Sequence, residues 1–150
     1  MMYANLVAIH AVAMIAALAL LVVTELVFLS ARRGQSSHAK LGLAAGRAVG
    51  VLIAVGVVSG FALTFLGGWS LLTPWLLLSF ALIGLLVGVE NALVSPWQAK
   101  LRPAVRSGGL GAEASEILGD QRALLGRLTM IALFALIVLT MITKPDIPWG

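Results

Sequence analysis

The sequence predicts an all-α protein, a transmembrane four-helix bundle, on three observations. Apolar residues make up 61% of the 150-residue chain and charged residues only 11%, with a mean hydropathy of +1.07, which is more apolar surface than a single soluble core hides from water. The apolar residues gather in four runs, and about 20 of them suffice to cross a hydrocarbon core roughly 30 Å thick. The charges cluster mostly between those runs. The length then accommodates one domain, residues 1–150, and no extramembrane domain.

The first span covers about residues 5–30. It is too long for a cleaved signal peptide, has no basic stretch before it and carries no small-residue cleavage site. The second covers about 46–66, the third about 72–94 and the fourth about 123–143. Pro96 is expected to stop the third, because a proline inside a helix removes a backbone donor and crowds the preceding turn. Between the third and fourth spans, RPAVRSGGLGAEASEILGDQR divides into a Ser/Gly piece and a helical start; Ser115 and Asp120 suit a surface helix feeding into the last span. This segment reads as a solvated connection or, alternatively, as a partner-docking loop.

Orientation follows from the basic residues. Arg32, Arg33, Lys40 and Arg47 lie between the first two spans, and Lys100, Arg102, Arg106 and Arg122 between the last two, whereas GGWSLLTPW between the middle spans is uncharged. The positive-inside bias places both basic loops in the cytoplasm and the N-terminus and C-terminus outside. Trp69, Trp75 and Trp149 then mark the outer interface and Trp97 the inner one. The pI near 10.4 reflects orientation and contact with anionic lipid, and basic residues too sparse to interleave with aromatics exclude nucleic acid as a ligand.

A glutamate inside the first span, in LVVTELVFLS, is the sharpest local anomaly. At 100° per residue, Glu25 and Met14 fall within about 20° of each other and His10 about 60° from Glu25, so the three share a face. Burying an unpaired charge in lipid is expensive, and that face is expected to turn toward the other helices. In the fourth span Arg127, Phe134 and Met141 repeat every seven residues as a packed seam. Antiparallel first and fourth spans bring Glu25 and Arg127 to one depth and His10 and Met141 to another. Glu25, Arg47, Glu90 and Arg127 are therefore the candidates for a buried ion-pair layer, with Arg127 or Arg47 as the partner of Glu25. The same four residues also suit a proton or cation path, and Glu90 alone suits a snorkelling position.

Gly46 with Gly50, Gly56 with Gly60 and Gly84 with Gly88 form small-xxx-small pairs that allow close helix approach. They fit packing within one chain or the face of a homodimer. His10, Met14 and Met141 offer imidazole and thioether donors of the kind that suit Cu(I). Haem held by two histidines is excluded within one chain, because His38 is expected at the opposite end from His10; ligation by one histidine remains open. The absence of cysteine removes disulfides, thiolate nucleophiles and Cys-ligated metal centres. No nucleophile elbow, phosphate loop or HExxH pattern is present, and the chain reads as a non-enzyme.

The order of several motifs resembles a known group. An early histidine, His10, is followed by SGFALTFLGG, PWLLLSFALIGLL, VSPWQAKLR and MITKP, an arrangement similar to a bacterial family of four-span integral membrane proteins that distantly resembles the membrane domain of copper-resistance D proteins. The resemblance covers most of the chain. It implies a small multi-pass protein of the bacterial inner (cytoplasmic) membrane, with His10 matching the early histidine and Lys144 and Pro145 the terminal motif. The tryptophan–glycine pair that follows the histidine in the copper-resistance relatives is missing here.

Together these features predict a membrane subunit with a structural, accessory or partner-binding role, needing no cofactor, in contact with the lipid bilayer and with a homodimer or larger membrane complex as its assembly. The second expectation is a small transporter or channel for a metal ion, copper above all, or for protons. The third is a haem- or metal-binding redox protein.

Overall fold

The computed structural model describes residues 2–33, 36–106 and 112–144. Its elements are α1 (Met2–Arg32), α2 (Ser36–Leu66), α3 (Pro74–Val89), a π-helical turn (Glu90–Val94), α4 (Ser95–Arg106), α5 (Ala112–Leu118) and α6 (Gln121–Thr143). Helices α3 and α4 join through the π turn into one rod of 33 residues, so four rods, α1, α2, α3–α4 and α6, are long and apolar enough to cross a membrane. The chain is a multi-pass integral membrane protein. It is built from two antiparallel pairs, α1 with α2 and α3 with α6, joined along α1 and α6.

Helix α2 begins ten residues before the expected start at 46. The segment HAKLGLAAGRA consists largely of good helix formers, and its inner face has something to pack on: Ala39 is buried beside Phe28. A Cβ on Gly42 would lie 2.6 Å from the Phe28 ring, so glycine is what lets α2 close on α1 there. His38, expected in a loop, belongs to this helix.

The third span does not end at Val94, and Pro96 does not stop it. The backbone N–H of Ser95 donates to the Glu90 carbonyl, five residues back, and this wider turn makes room for the proline ring just after it. A one-turn π insertion of this kind lets a helix absorb an irregular residue and continue. The rod runs on to Arg106.

Between α4 and α6 the expected helical start is α5, which is exposed on one side and packed on the other. Ala114 and Leu118 of α5 are buried, and Leu118 joins Phe28, Ala39, Trp97 and Leu101 in a core cluster at the basic end of the bundle. Asp120 then caps α6, its carboxylate accepting from the N–H groups of Arg122 (2.8 Å) and Ala123 (3.4 Å). Residues 107–111, where the Ser/Gly piece falls, and Pro145 and Trp149 lie outside the described residues.

At the opposite end, Gly68 adopts φ +66°, a left-handed conformation that glycine takes without steric cost, and Pro74 opens α3 at its first turn. Within the spans, buried hydroxyls are satisfied by their own helices: Thr24 donates to the Leu20 carbonyl, Ser59 to Val55, Thr64 to Gly60, Ser79 to Trp75 and Thr140 to Leu136. Each bond spans one turn, which meets the requirement that polar groups in lipid find partners inside the protein.

Candidate functional site: a seam with two cavities

The α1–α6 seam carries a buried ion pair. Arg127 Nε donates to Glu25 Oε2 at 2.6 Å and Nη2 to Oε1 at 3.3 Å, a bidentate geometry that fixes both side chains. Glu25 is 5% and Arg127 7% exposed, so neither meets lipid. The guanidinium also lies 4.2 Å from the centre of the Trp97 ring and 5.3 Å from that of Phe28, and the two rings meet edge to face at 5.0 Å. Desolvated cation–π contacts contribute about 2 kcal/mol each. Trp97 is thus a wall of the charge cluster rather than an interfacial anchor. Its indole N–H donates to the Ile117 carbonyl at 2.7 Å, which ties α5 over the same cluster.

Of the two arginines open to Glu25, Arg127 is the one bonded to it. Arg47 is exposed, on the rim of a cavity of about 420 Å³ that Glu25, Glu90, Asn91, Arg102 and Arg127 also line. The four residues expected in one layer therefore share a cavity, but only two of them form the pair. Arg102, read in the sequence only as one of the basic residues between the last two spans, lines it too, with its guanidinium 3.1 Å from Gln98 Oε1. It reaches the cavity because the helix continues through Pro96, which carries α4 and its basic residues alongside α2.

A second cavity, of about 350 Å³, lies toward the Trp69 end and is lined by His10, Met14, Trp69, Trp75, Ser79 and Met141 among others. His10 Nδ1 is 2.9 Å from the Gly56 carbonyl and 3.1 Å from Ser59 Oγ. A carbonyl only accepts, so Nδ1 carries the proton. On the other side of the ring, Nε2 lies 3.4 Å from Met141 Sδ. Gly56 and Gly60 are what bring α2 close enough: a Cβ on Gly56 would lie 2.5 Å from Met14 Sδ, and one on Gly60 3.0 Å from His10 Cε1. This small-residue pair serves packing within the chain. The pairs Gly46/Gly50 and Gly84/Gly88 do not, since a Cβ at Gly50, Gly84 or Gly88 meets nothing within 4 Å and one at Gly46 only just reaches Gln98.

Among the described residues, none lines both cavities. Along α1 and α6 the two linings are parted by packed apolar residues, of which Ala17 and Ile137 are fully buried and Phe134 nearly so. Among the described residues, no three His, Asp or Glu side chains converge as a metal-binding group. At the Trp69 end, Lys144 Nζ stands over the rings of Trp69 (5.3 Å) and Trp75 (5.6 Å), and those rings meet edge to face at 5.7 Å. Compared with protein-family models, curated proteins and solved structures, the chain matches none of them, and its function is to be read from the geometry of this seam.

Proposed function

We propose that the chain is a non-enzymatic membrane subunit that binds and holds a partner or ligand in the bilayer rather than conducting ions through it. The observation that carries this reading is that, among the described residues, none lines both the charged cavity and the one containing His10, with Ala17, Phe134 and Ile137 packed between the two linings along α1 and α6. An ion crossing that packed stretch would lose its hydration without gaining a polar substitute, a cost of many kcal/mol. The Glu25–Arg127 pair supports the same reading, because a bidentate, ring-stacked pair positions helices and leaves neither member free to carry charge. The basic end faces the cytoplasm by the positive-inside bias. Reconstitution into sealed vesicles with an imposed proton gradient tests the proposal. The expected rate of gradient collapse equals that of protein-free vesicles; a faster collapse that Glu25→Gln abolishes would overturn it.

A second reading, a soft-cation site, is favoured by one specific contact. With its Nδ1 proton directed to Gly56, a neutral His10 presents an Nε2 lone pair to Met141 Sδ, and a metal-ligating histidine commonly donates its other ring N–H to a backbone carbonyl in this way. One imidazole and one thioether fit the ligand preference of Cu(I). Elemental analysis after Cu(I) loading and washing distinguishes the two readings: one retained equivalent that is lost in both His10→Ala and Met141→Leu supports the metal site, and equal trace copper in all three proteins removes it.

A further inference from the structure

We infer that the charged cavity at the basic end is a binding site for the phosphodiester head group of an acidic phospholipid, with the acyl chains lying along the α2–α3 side of the bundle. The inference deepens the binding reading above and rests on it.

Three arginines from three different helices reach this cavity: Arg47 on α2, Arg102 on α4 and Arg127 on α6. Two carboxylates, Glu25 and Glu90, share it, which leaves one positive charge in excess. Arg127 spends Nε and Nη2 on Glu25 and is buried, so the exposed Arg47 and Arg102 are the arginines that offer donors to a ligand. A phosphodiester supplies acceptor oxygens and a single negative charge, and guanidinium groups recognise phosphate through paired N–H donors. Glu90 in the wall disfavours ligands of higher negative charge, such as a phosphate monoester.

The rim argues for a lipid rather than a solute. Arg47 and Arg102 mark its charged end, while Gly50 and Val87, both exposed and both within apolar stretches of membrane-spanning helices, mark the other. That is the polarity of an amphiphile. Gly50 keeps the α2 wall free of a side chain, since a Cβ there meets nothing within 4 Å, and the apolar residues Val51, Val55 and Val58 continue along α2 toward the other end. The π turn contributes as well: it places Glu90 and Asn91 on the cavity wall while letting α4 continue past Pro96 to present Arg102.

The test uses the full-length protein in a neutral detergent, with phosphatidylglycerol as the probe, phosphatidylcholine as the zwitterionic control and glycerophosphoglycerol as the chain-free head group. Unfolding temperature and lipid retention by native mass spectrometry are read together. The expected result is a rise in unfolding temperature with phosphatidylglycerol and little with the other two. Arg47→Gln combined with Arg102→Gln lowers phosphatidylglycerol affinity about ten-fold or more, with the lipid-free unfolding temperature unchanged because both residues are exposed. Gly50→Leu, which obstructs the rim without altering charge, lowers it as well. Equal stabilisation by phosphatidylcholine, or variants that retain phosphatidylglycerol like the parent, would overturn the inference. Equal stabilisation by glycerophosphoglycerol would make the ligand a soluble phosphodiester and overturn the lipid assignment. Proton flux in vesicles is a separate measurement, so the binding reading and the lipid assignment fail independently.

Discussion

Arg127 holds Glu25 with two hydrogen bonds, 2.6 and 3.3 Å long, across 102 residues of sequence. The pair joins the first transmembrane helix to the last, and both cavities are lined by residues of α1, α2, α3 and α6. Removing one member leaves a buried charge with no counter-charge. Arg127→Met is expected to destabilise the protein by about 3–5 kcal/mol, whereas Glu25→Leu combined with Arg127→Met recovers most of that loss. Thermal unfolding of the single and double variants in detergent measures the difference. Additive losses would show that the pair is not coupled.

The close approach of α1 and α2 depends on particular glycines. Gly42→Ala drives a methyl group into the Phe28 ring, which is locked against Trp97, and is expected to cost about 1–3 kcal/mol. Gly50→Ala faces open space and is expected to change stability by less than about 0.5 kcal/mol. Chemical unfolding of the two variants side by side gives the comparison.

The helix α5 is held by Trp97. Trp97→Phe keeps an aromatic ring near Arg127 but deletes the N–H that bonds the Ile117 carbonyl, a loss of about 1–2 kcal/mol felt locally. Hydrogen exchange over Ala112–Leu118 is expected to accelerate several-fold while exchange in α6 stays as it is. Equal acceleration in both helices would mean that α5 is not a separately released cap.

Glu25 and Arg127 come to one seam because helical periodicity puts them on the inward faces of antiparallel spans, and lipid leaves a charged side chain few alternatives; the same reasoning brings His10 to Met141. Periodicity says nothing, however, about how a helix passes a proline. The π turn at Glu90–Val94 depends on a backbone choice of five-residue bonding that no side-chain pattern marks, so Pro96 reads as a stop and the position of Arg102 beside the cavity stays hidden. Trp97 misleads for a related reason: tryptophan near a span end suits the interface, but here an aromatic surface is needed under a buried guanidinium. The early start of α2 depends on tertiary packing of Ala39 and Gly42 on Phe28, which local propensity alone does not fix.

Four apolar helices span the bilayer with their tightly packed positions turned inward, and α6 has both a lipid-facing and a buried stripe on which this can be measured. Because the chain contains no cysteine, single cysteines can be placed and spin-labelled along α6 in lipid vesicles, and collision with oxygen reports contact with hydrocarbon. Maxima are expected at Leu125, Leu128, Leu136 and Leu139, which are exposed, and minima at Met130, Phe134 and Ile137, which are buried. Maxima at Met130, Phe134 and Ile137, or strong collision with a water-soluble nickel reagent along the whole helix, would contradict that arrangement.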